Sequence, residues 1–452
     1  MACAAVIWTA AAVRCLIIDT EQLGLAFALR CAASGHEVRL YRHMPKRKER
    51  YAEGFKEITL IDDWRSSMVW VRGGLVINTG NFTLTAELDR YREFGFSIFG
   101  PAVASAKVEI DRMHGMKVAE ACGLAVPEYH VFNSLEETEA FARKQDRGFV
   151  FKPGGDEENK ALTYVACDPA DLVGWLRRQI KAGKQMKQCL LQEKVEVLSE
   201  LGVSGWMGLD GFLPDKYGLS IEHKKLMGGE HGPATGEMGT VCQYVETDKL
   251  ADEMLLPLEP TLRALGHRGD FSVGCIIDTK GKAWFLEVTA RCGYPAWWIQ
   301  MASHRGDPAN WMLDLMKGKD SLRVSYDVAI GVVCAQPPFP YGHDVPHDMV
   351  EGNPISGVDE YPDQVHLASV MKAKGPVWRD GKIVEEQTYA TTGPYVMVCT
   401  GLGKTVEKAR QKVYRAVEAV KFPDKIFRDD IGEKVIECAP ALHRHGYAMD
   451  LS

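Results

Sequence analysis

The sequence predicts a mixed α/β and α+β protein with an N-terminal doubly wound domain and a small C-terminal α+β domain. In the N-terminal part, short apolar runs alternate with segments of helical spacing, which is typical of a doubly wound domain. Beyond residue 322 the pattern changes to strands followed by one long helix. The 452 residues are 46% hydrophobic and 25% charged, an ordinary globular composition for roughly two to four domains.

Charge and cysteine usage exclude several classes of protein. A net charge of -7 and a pI near 6.0 argue against a general nucleic-acid binder, although a local basic site can still take a small anion. The 12 cysteines show no C-x-x-C and no metal spacing, so we expect reduced thiols in a cytoplasmic protein. The apolar segment Met1 to Val13 follows no basic region and is too short to span a membrane, so we expect no membrane partner.

The N-terminal domain is predicted over residues 1–105. Its first strand, C-L-I-I-D, is a short apolar run of the kind that fits a buried parallel strand. The elements predicted from this pattern are a strand Cys15 to Asp19, a helix Leu23 to Ser34, a strand Glu37 to Tyr41 and a helix Thr83 to Glu93.

A lysine ends the next apolar strand, F-V-F-K, which runs into a polar loop reaching Lys160. Lys152 there is either solvated or paired, and because the strand reads as buried we favour contact with an anion. Further along, C-L-L-Q-E-K-V-E-V predicts a strand from Cys189 to Val197 that leaves into a polar linker with spaced glutamates.

A second candidate site lies on the strand A-W-F-L-E-V-T, where Glu287 and Thr289 face one side by period-two alternation. A carboxylate inside an apolar strand is either ion-paired or holds a hard cation, since burying it alone is costly. Arg291 follows on the same face, which suits either a salt bridge or a phosphate.

The stretch from His223 to Gly239 is rich in glycine and is predicted to form a loop. Glycines let a backbone point its N–H groups at an anion, and Lys224 and Lys225 bring charges suited to phosphate. A surface turn with solvated lysines explains the pattern equally well when the stretch is taken alone.

The C-terminal part, residues 323–452, is predicted to be a separate small domain. It has strands Val328 to Ala335 and Tyr395 to Thr400 and a helix Thr405 to Val420.

Several motifs in the same order resemble one family. G-P-A-T-G-E-M-G at Gly232 to Gly239 stands where that family has G-P-N-T-G-G-M-G, and E-V-T-A-R-C-G-Y-P from Glu287 stands where it has E-F-N-x-R-F-G-D-P. I-F-G-P at Ile98, I-G-V-V at Ile330 and R-D-D-I-G at Arg428 also match. The chain therefore resembles the ATP-grasp ligases, specifically phosphoribosylamine–glycine ligase. The resemblance implies a pre-ATP-grasp domain over 1–105, an ATP-grasp domain over 106–322 and a glycinamide-ribonucleotide-synthetase-like domain over 323–452.

The resemblance also implies an activity. Such a ligase activates a carboxylate with ATP as an acyl phosphate, which an amine then attacks, releasing ADP and phosphate. The expected cofactors are ATP with Mg²⁺ or Mn²⁺, and the expected partners are a small amino acid, such as glycine, and an amine acceptor. We expect no nucleic-acid partner and either a monomer or a homodimer.

Site residues follow from the positions that match the family's motifs. The resemblance implies that the nucleotide is bound by Arg112, Lys152, Lys160, Glu193, Val195 and Glu200. It implies metal ligands Glu287 and Thr289, with Thr289 standing where the family has an asparagine, and catalytic residues Lys224 and Arg291. The implied substrate-binding residues are Gly232, Pro233, Thr235, Gly236, Met238, Gly239, Gly293 and Pro295.

The departures from the family fall on the acceptor side. The family's glycine-rich phosphate loop is here D-T-E-Q-L-G, Asp19 to Gly24, and its later G-P-E is N-T-G, Asn78 to Gly80. Glu21 would repel a phosphate, so we expect an acceptor that presents an amine or sugar hydroxyls instead. Ala234, Glu237 and Tyr294 also replace the family's Asn, Gly and Asp.

Other functions remain open from the sequence. An unchanged purine-pathway enzyme is one, and a nucleotide-binding homologue that has lost turnover is another, suggested by Thr289 in a metal position. A purely structural homologue is the third, since fold alone does not fix function.

Overall fold

The computed structural model describes residues 12–43, 50–80, 83–154, 163–186, 188–341 and 347–452. Most of the predicted leader segment, Met1 to Val13, lies outside these ranges, as does Lys160. No helix in the described ranges has the length and apolar character needed to cross a membrane.

The N-terminal part forms a parallel five-stranded sheet in the order β3-β2-β1-β4-β5, which confirms the predicted doubly wound architecture. The chain order reverses between β1 and β4, so the turns that follow these two strands lie side by side at their carboxyl ends. The elements are β1 (Arg14–Asp19), α1 (Leu25–Ala33), β2 (Glu37–Arg42), β3 (Thr59–Ile61), α2 (Met68–Val71), β4 (Leu75–Asn78), α3 (Thr85–Glu93) and β5 (Ser97–Phe99).

Two helices then lead into a four-stranded antiparallel sheet in the order β6-β9-β7-β8. Ser134 and Asp168 cap the two helices that cover this sheet, and Trp175 packs on Phe151 at 4.8 Å between ring centroids. The elements are α4 (Val103–Ile110), α5 (Arg112–Ala121), β6 (Tyr129–Phe132), α6 (Leu135–Ala142), β7 (Phe149–Pro153), β8 (Tyr164–Val165), α7 (Pro169–Lys181) and β9 (Cys189–Glu193).

The largest sheet has eight antiparallel strands in the order β14-β13-β10-β11-β12-β17-β22-β19 among the described residues. Its central elements are β10 (Val197–Met207), β11 (Tyr217–Met227), β12 (His231–Val245), α8 (Glu259–Ala264), β13 (Gly269–Asp278), β14 (Ala283–Thr289) and α9 (Ala296–Ser303). A small ribbon and helix follow, β15 (His304–Arg305), α10 (Asn310–Leu315) and β16 (Arg323–Val324).

Strands of the C-terminal part extend this sheet directly, because β17 pairs with β12. The remaining elements are β17 (Val328–Ala335), α11 (His347–Val350), β18 (Pro354–Ile355), β19 (Val365–Leu367), β20 (Val370–Arg379), β21 (Lys382–Thr391), β22 (Tyr395–Gly403), α12 (Val406–Ala419) and α13 (Glu433–Arg444). The predicted boundaries at residues 105 and 322 stay predictions, since the sheet itself is continuous across the second.

One predicted element is wrong: the glycine-rich stretch from His223 to Gly239 is a β-hairpin and not a loop. Its register shifts after His223 and again after Lys225, so the pairing is irregular where glycines are dense. Gly239 pairs with Val332 of β17, and this tertiary pairing outweighs the low strand propensity of glycine.

The strand predicted from Cys189 to Val197 ends earlier than expected. β9 ends at Glu193 and β10 begins at Val197, so Glu200, which was predicted in a polar linker, lies on a strand. The register of β10 against β13 shifts near Val197, so the polar residues cluster at an irregular strand start.

Candidate active site

A cavity of about 370 Å³ opens between strands β11 to β14 and helix α9. Among the residues predicted from the sequence, those that line it are Lys224, Gly236, Glu287, Thr289, Arg291 and Gly293. Two smaller cavities adjoin it through Glu287, one reaching Glu200 and the other Arg112. The fold thus brings together side chains that are far apart in the sequence.

Lys224 stands among three carboxylates. Its Nζ atom lies 3.3 Å from an oxygen of Glu222, 3.5 Å from Glu287 and 3.9 Å from Glu200. These charges, that of Glu222 first, raise the pKa of Lys224 above its ordinary value. All four side chains are between one third and one half exposed, so a ligand in the cavity can reach them.

Lys152 and Arg112 approach the same centre from the other side. Lys152 is buried at the end of β7, and its Nζ donates to the Gln192 side-chain oxygen at 2.7 Å. Burial, and then the charge of Arg112, lowers the pKa of Lys152 to about 8, while the charge of Glu287 opposes this shift. Arg112 Nη1 is buried and has no hydrogen-bond partner within the described residues.

The two hinge residues predicted to lie beside the adenine are Glu193 and Val195. Glu193 forms an ion pair with Arg147 at 2.5 Å, and Val195 lies in the short connection between β9 and β10. Neither lines the cavity around Lys224. Their assignment to the nucleotide stays a prediction.

The R-D-D-I-G motif of the C-terminal part bonds to the tip of the β11–β12 hairpin and holds it in place. The buried Arg428 donates to Glu230 at 2.9 Å, to Asp430 at 2.7 Å and to the Lys225 carbonyl oxygen at 3.0 Å. Burial, and then the charges of Lys434 and Arg428, lowers the pKa of His223 to about 3. This histidine is therefore neutral and accepts a hydrogen bond from the Gly432 N–H at 3.1 Å.

The remaining predicted substrate residues are spread along this hairpin and the turn after β14. Gly232 and Pro233 lie near its tip, and Thr235 donates to the Lys224 carbonyl oxygen at 2.8 Å. Met238 is fully buried in the core and does not line the cavity, while Gly239 pairs within the sheet. Pro295 precedes α9 and is buried.

The sequence interpretation missed a buried carboxylate in the cavity wall. Asp270, at the start of β13, is 4% exposed and accepts a hydrogen bond from the Gly293 N–H at 3.3 Å. Burial raises its pKa to about 7, an effect that the Gly293 N–H and Arg291 partly offset and Glu109 reinforces. The only sequence signal was a charged residue opening an apolar strand, which is too common to single it out.

Glu109 of α4 is a second residue that the sequence interpretation missed. It is 5% exposed, accepts from the Ala290 N–H at 2.8 Å and lies 3.6 Å from Arg291 Nε. It thus holds the segment after β14 in place and orients Arg291 along the cavity wall.

The turn after β1 stands where the family has its glycine-rich phosphate loop. The Asp19 carboxylate is directed inward, and the residue is 1% exposed. It accepts from the N–H groups of Glu21, Leu23 and Gly24 at 3.2, 3.1 and 2.7 Å. The hydroxyls of Tyr51 at 2.7 Å and Thr79 at 3.0 Å complete its shell. The reason is that the N–H groups of a tight turn need an acceptor, and here the chain supplies its own.

The described residues contain no group of three or more His, Cys, Asp or Glu side chains arranged to hold a metal ion. The carboxylates nearest to such an arrangement, Glu200, Glu222 and Glu287, surround the ammonium of Lys224 instead. Carboxylate oxygens gathered around one positive charge are the donor type that a hard cation takes.

Comparison with solved structures supports this architecture. Phosphoribosylamine–glycine ligase from Thermotoga maritima covers 93% of this chain with all of its own, at a TM-score of 0.66 and 20% identity. A β-γ-ATP complex of biotin carboxylase from Campylobacter jejuni covers 96% of the chain and 97% of its own, at a TM-score of 0.62 and 11% identity. The chain therefore shares the fold of these two enzymes.

Sequence relatives narrow this class. Residues 329–434 match the family model described as Phosphoribosylglycinamide synthetase, C domain. Phosphoribosylamine–glycine ligase from Halalkalibacterium halodurans is 25% identical over 366 residues, which covers 78% of this chain and 80% of the relative. The chain thus resembles phosphoribosylamine–glycine ligase, which confirms the resemblance predicted from the motifs.

Proposed function

We propose that this chain uses Mg-ATP to join a small amino acid, glycine or a close relative, to an amine acceptor through an acyl phosphate. The observation that carries the proposal is the arrangement of charged side chains around Glu287. Lys224, Glu287 and Arg291 line one cavity, and Arg112 lines a smaller one that shares Glu287. The charges of Arg112 and Glu287 both act on the buried Lys152. Similarity to phosphoribosylamine–glycine ligases supports the same reaction class.

Lys152 and Arg112 suit the phosphate groups of the nucleotide. Lys152 is buried, and so is Nη1 of the half-buried Arg112. The hydrogen-bond partner of Lys152 is a neutral amide rather than a carboxylate. A buried charge without a full counter-charge is costly, so an anion from outside completes the pair.

Glu287 and Thr289 would hold the metal ion. Both line the cavity, one with a carboxylate and the other with a hydroxyl, and hard cations bind such oxygens. When bound, Mg²⁺ neutralises charge on the transferring phosphoryl group. With Glu287 bound to the metal ion, Lys224 would no longer be paired with Glu287. Its ammonium could then face the carboxylate being activated.

Arg291 positions the activated carboxylate. Glu109 fixes its guanidinium, and a positioned cation stabilises the negative charge that develops when an amine attacks an acyl phosphate. Holding the two reactants in one cavity also removes much of the entropic barrier.

For the acceptor, we propose an amine that places no phosphate against the Thr20 to Gly24 turn. The three N–H groups that would receive a phosphate already bond the Asp19 carboxylate. Glu21 adds a second negative charge beside it.

We also propose a cytoplasmic location. All eleven cysteines of the described ranges are free, and most of them are buried, as expected of a chain kept in a reducing compartment.

The test is ADP release across a panel of small amino acids and amines, with phosphoribosylamine generated in situ as one acceptor. We expect ATP turnover that requires both an amino acid and an amine. ATP binding without turnover under every combination would instead support an impaired nucleotide-binding homologue. Efficient glycinamide ribonucleotide formation, with its phosphate seated at the turn in a co-crystal, would refute the acceptor proposal.

A further inference from the structure

Two residues that line the cavity carry oxygen atoms that lack donors. Asp270 Oδ1 and Gln300 Oε1 are buried, and neither has a hydrogen-bond partner among the described residues. Their residues are 4% and 6% exposed, and both line the cavity. Buried polar atoms are nearly always bonded, and leaving one unsatisfied is costly, so a ligand with donors is expected there.

The chemistry of that ligand group follows from the atoms. Gln300 already donates its Nε2 hydrogen to Ser204 at 3.1 Å, and Asp270 already accepts from Gly293, so both residues have oxygen lone pairs left to offer. A carboxylate and an amide oxygen together select a group with several N–H donors and a positive charge. An ammonium fits this description, and an anion does not.

Positively charged side chains line the same cavity. Arg291 acts electrostatically on Asp270, and Lys224 lines the cavity with it. The cavity thus has cations in one part and, in another, a carboxylate oxygen without a donor. These charges are complementary to those of a zwitterion.

We propose that Asp270 binds the α-ammonium of the amino-acid substrate, with Gln300 as a second acceptor, while Arg291 and Lys224 face the substrate carboxylate. The assignment rests on the proposed ligase function. It makes Asp270 the residue that distinguishes an amino acid from a simple carboxylic acid, because a site with an unpaired carboxylate rejects a ligand that leaves it unpaired.

The experiment compares matched ligand pairs on the full chain. Glycine, L-alanine and L-lysine are each tested against acetate, propionate and 6-aminohexanoate, which lack the α-ammonium, by calorimetric binding and by ADP release. We expect at least one amino acid to bind at least about 100-fold better than its counterpart, on the scale of a lost charge-assisted hydrogen bond. In Asp270→Asn this preference should fall at least tenfold, with the affinity for ATP unchanged within about twofold.

Controls separate charge from folding. Asp248→Asn removes another buried carboxylate, one that bonds the Leu250 and Ala448 N–H groups away from the cavity, and should keep the preference. Asp270→Ser serves as a second variant if Asp270→Asn unfolds, which thermal unfolding reports.

The outcomes are distinguishable. If no amino acid supports ADP release, the ligase function fails, yet loss of amino-acid preference in the binding arm would still place the ammonium at Asp270. Unchanged preference in folded Asp270 variants would overturn the assignment, and so would a wild-type protein that binds no amino acid better than its counterpart.

Discussion

Two parts of the molecule carry groups that attract anions. One is the site around Lys152 and Arg112, and the other is the turn from Thr20 to Gly24. At the first, Lys152 has a neutral partner and Arg112 Nη1 has none among the described residues. At the second, three N–H groups and two hydroxyls converge on the Asp19 carboxylate. The first region is incomplete without an external anion, and the second already contains its own. This difference supports our proposal that the chain keeps a nucleotide site while its acceptor site has changed.

The largest expected effect comes from a substitution of Glu287, next to the site around Lys152 and Arg112. Glu287→Gln keeps the side-chain shape but removes the charge offered to a hard cation, and Thr289 adds only a neutral oxygen. We expect kcat for ADP release to fall about 100-fold or more, equivalent to ~3 kcal/mol of transition-state stabilisation, with little recovery in excess Mg²⁺.

Glu196→Gln is the matched control, because Glu196 is exposed and bonds the Thr279 hydroxyl at 3.2 Å on the surface. It should keep normal turnover. Full activity of Glu287→Gln at ordinary Mg²⁺ would make Glu287 a structural carboxylate and favour the impaired-homologue hypothesis.

The next effect concerns nucleotide affinity. Lys152 is buried, so truncation to alanine would leave a cavity, and Lys152→Met is the cleaner variant because it keeps the volume of the stem. Loss of one charge-assisted bond to phosphate should weaken ATP binding roughly 10- to 100-fold by calorimetry. Lys181→Met, at the exposed lysine that ends α7, should bind ATP normally. Equal affinities of wild type and Lys152→Met would remove Lys152 from the nucleotide site.

Much of the fold could be predicted from the sequence because local patterns decide it. Buried parallel strands such as β1 read as continuous apolar runs, and α12 follows its predicted range closely, with Thr405 as its cap. The β11–β12 hairpin could not be predicted, since its glycines favour a loop and the pairing that overrides them comes from β17.

The site divides in the same way. Lys224, Glu287 and Arg291 lie in motifs that are recognisable by order and spacing, and the structure brings them together. Asp270 has no such motif, because its burial depends on α9 and the Gly293 turn folding across it. The inward rotation of Asp19 is likewise decided by contacts with Tyr51 and Thr79, which the local sequence does not show.

A third prediction concerns the turn from Thr20 to Gly24, where Asp19 supplies the negative charge. Asp19→Ala leaves three backbone N–H groups and two hydroxyls without their acceptor, so we expect a loss of about 3 kcal/mol in the free energy of unfolding. Asp62→Ala, at an exposed aspartate of the same domain, should change it by less than about 0.5 kcal/mol. Inorganic phosphate should stabilise Asp19→Ala more than it stabilises wild type, because the freed N–H groups can bind it. A variant as stable as wild type would mean that water replaces the carboxylate at no cost.

The smallest expected effect is on stability and depends on pH. Burial raises the pKa of Asp270 from an ordinary value of 3.8 to about 7. Between these values the folded protein holds a proton that the unfolded chain has lost, so the stabilising contribution of this group declines as pH rises towards about 7. The Gly293 N–H and Arg291 offset the effect of burial on Asp270 only in part, and Glu109 adds to it.

Asp270→Asn removes the titration while keeping the shape. At pH 5 the folded wild type is protonated while its unfolded chain has lost the proton, so only part of the destabilisation is present and the two proteins differ least there. At pH 8 the folded wild type carries a buried carboxylate, so the advantage of the variant should be larger by roughly 2–3 kcal/mol. The nearby thiols of Cys242 and Cys292 have pKa values raised by burial, so they stay neutral across this range and do not add to the difference. Parallel unfolding curves from pH 5 to pH 8 would show that Asp270 is ionised throughout, with its charge already balanced by Arg291. At pH 8, an amino-acid ligand should stabilise wild type but not Asp270→Asn, because the ligand's positive charge supplies a partner for the buried carboxylate. Such a result would connect the pH-dependent loss of stability to the proposed ammonium site.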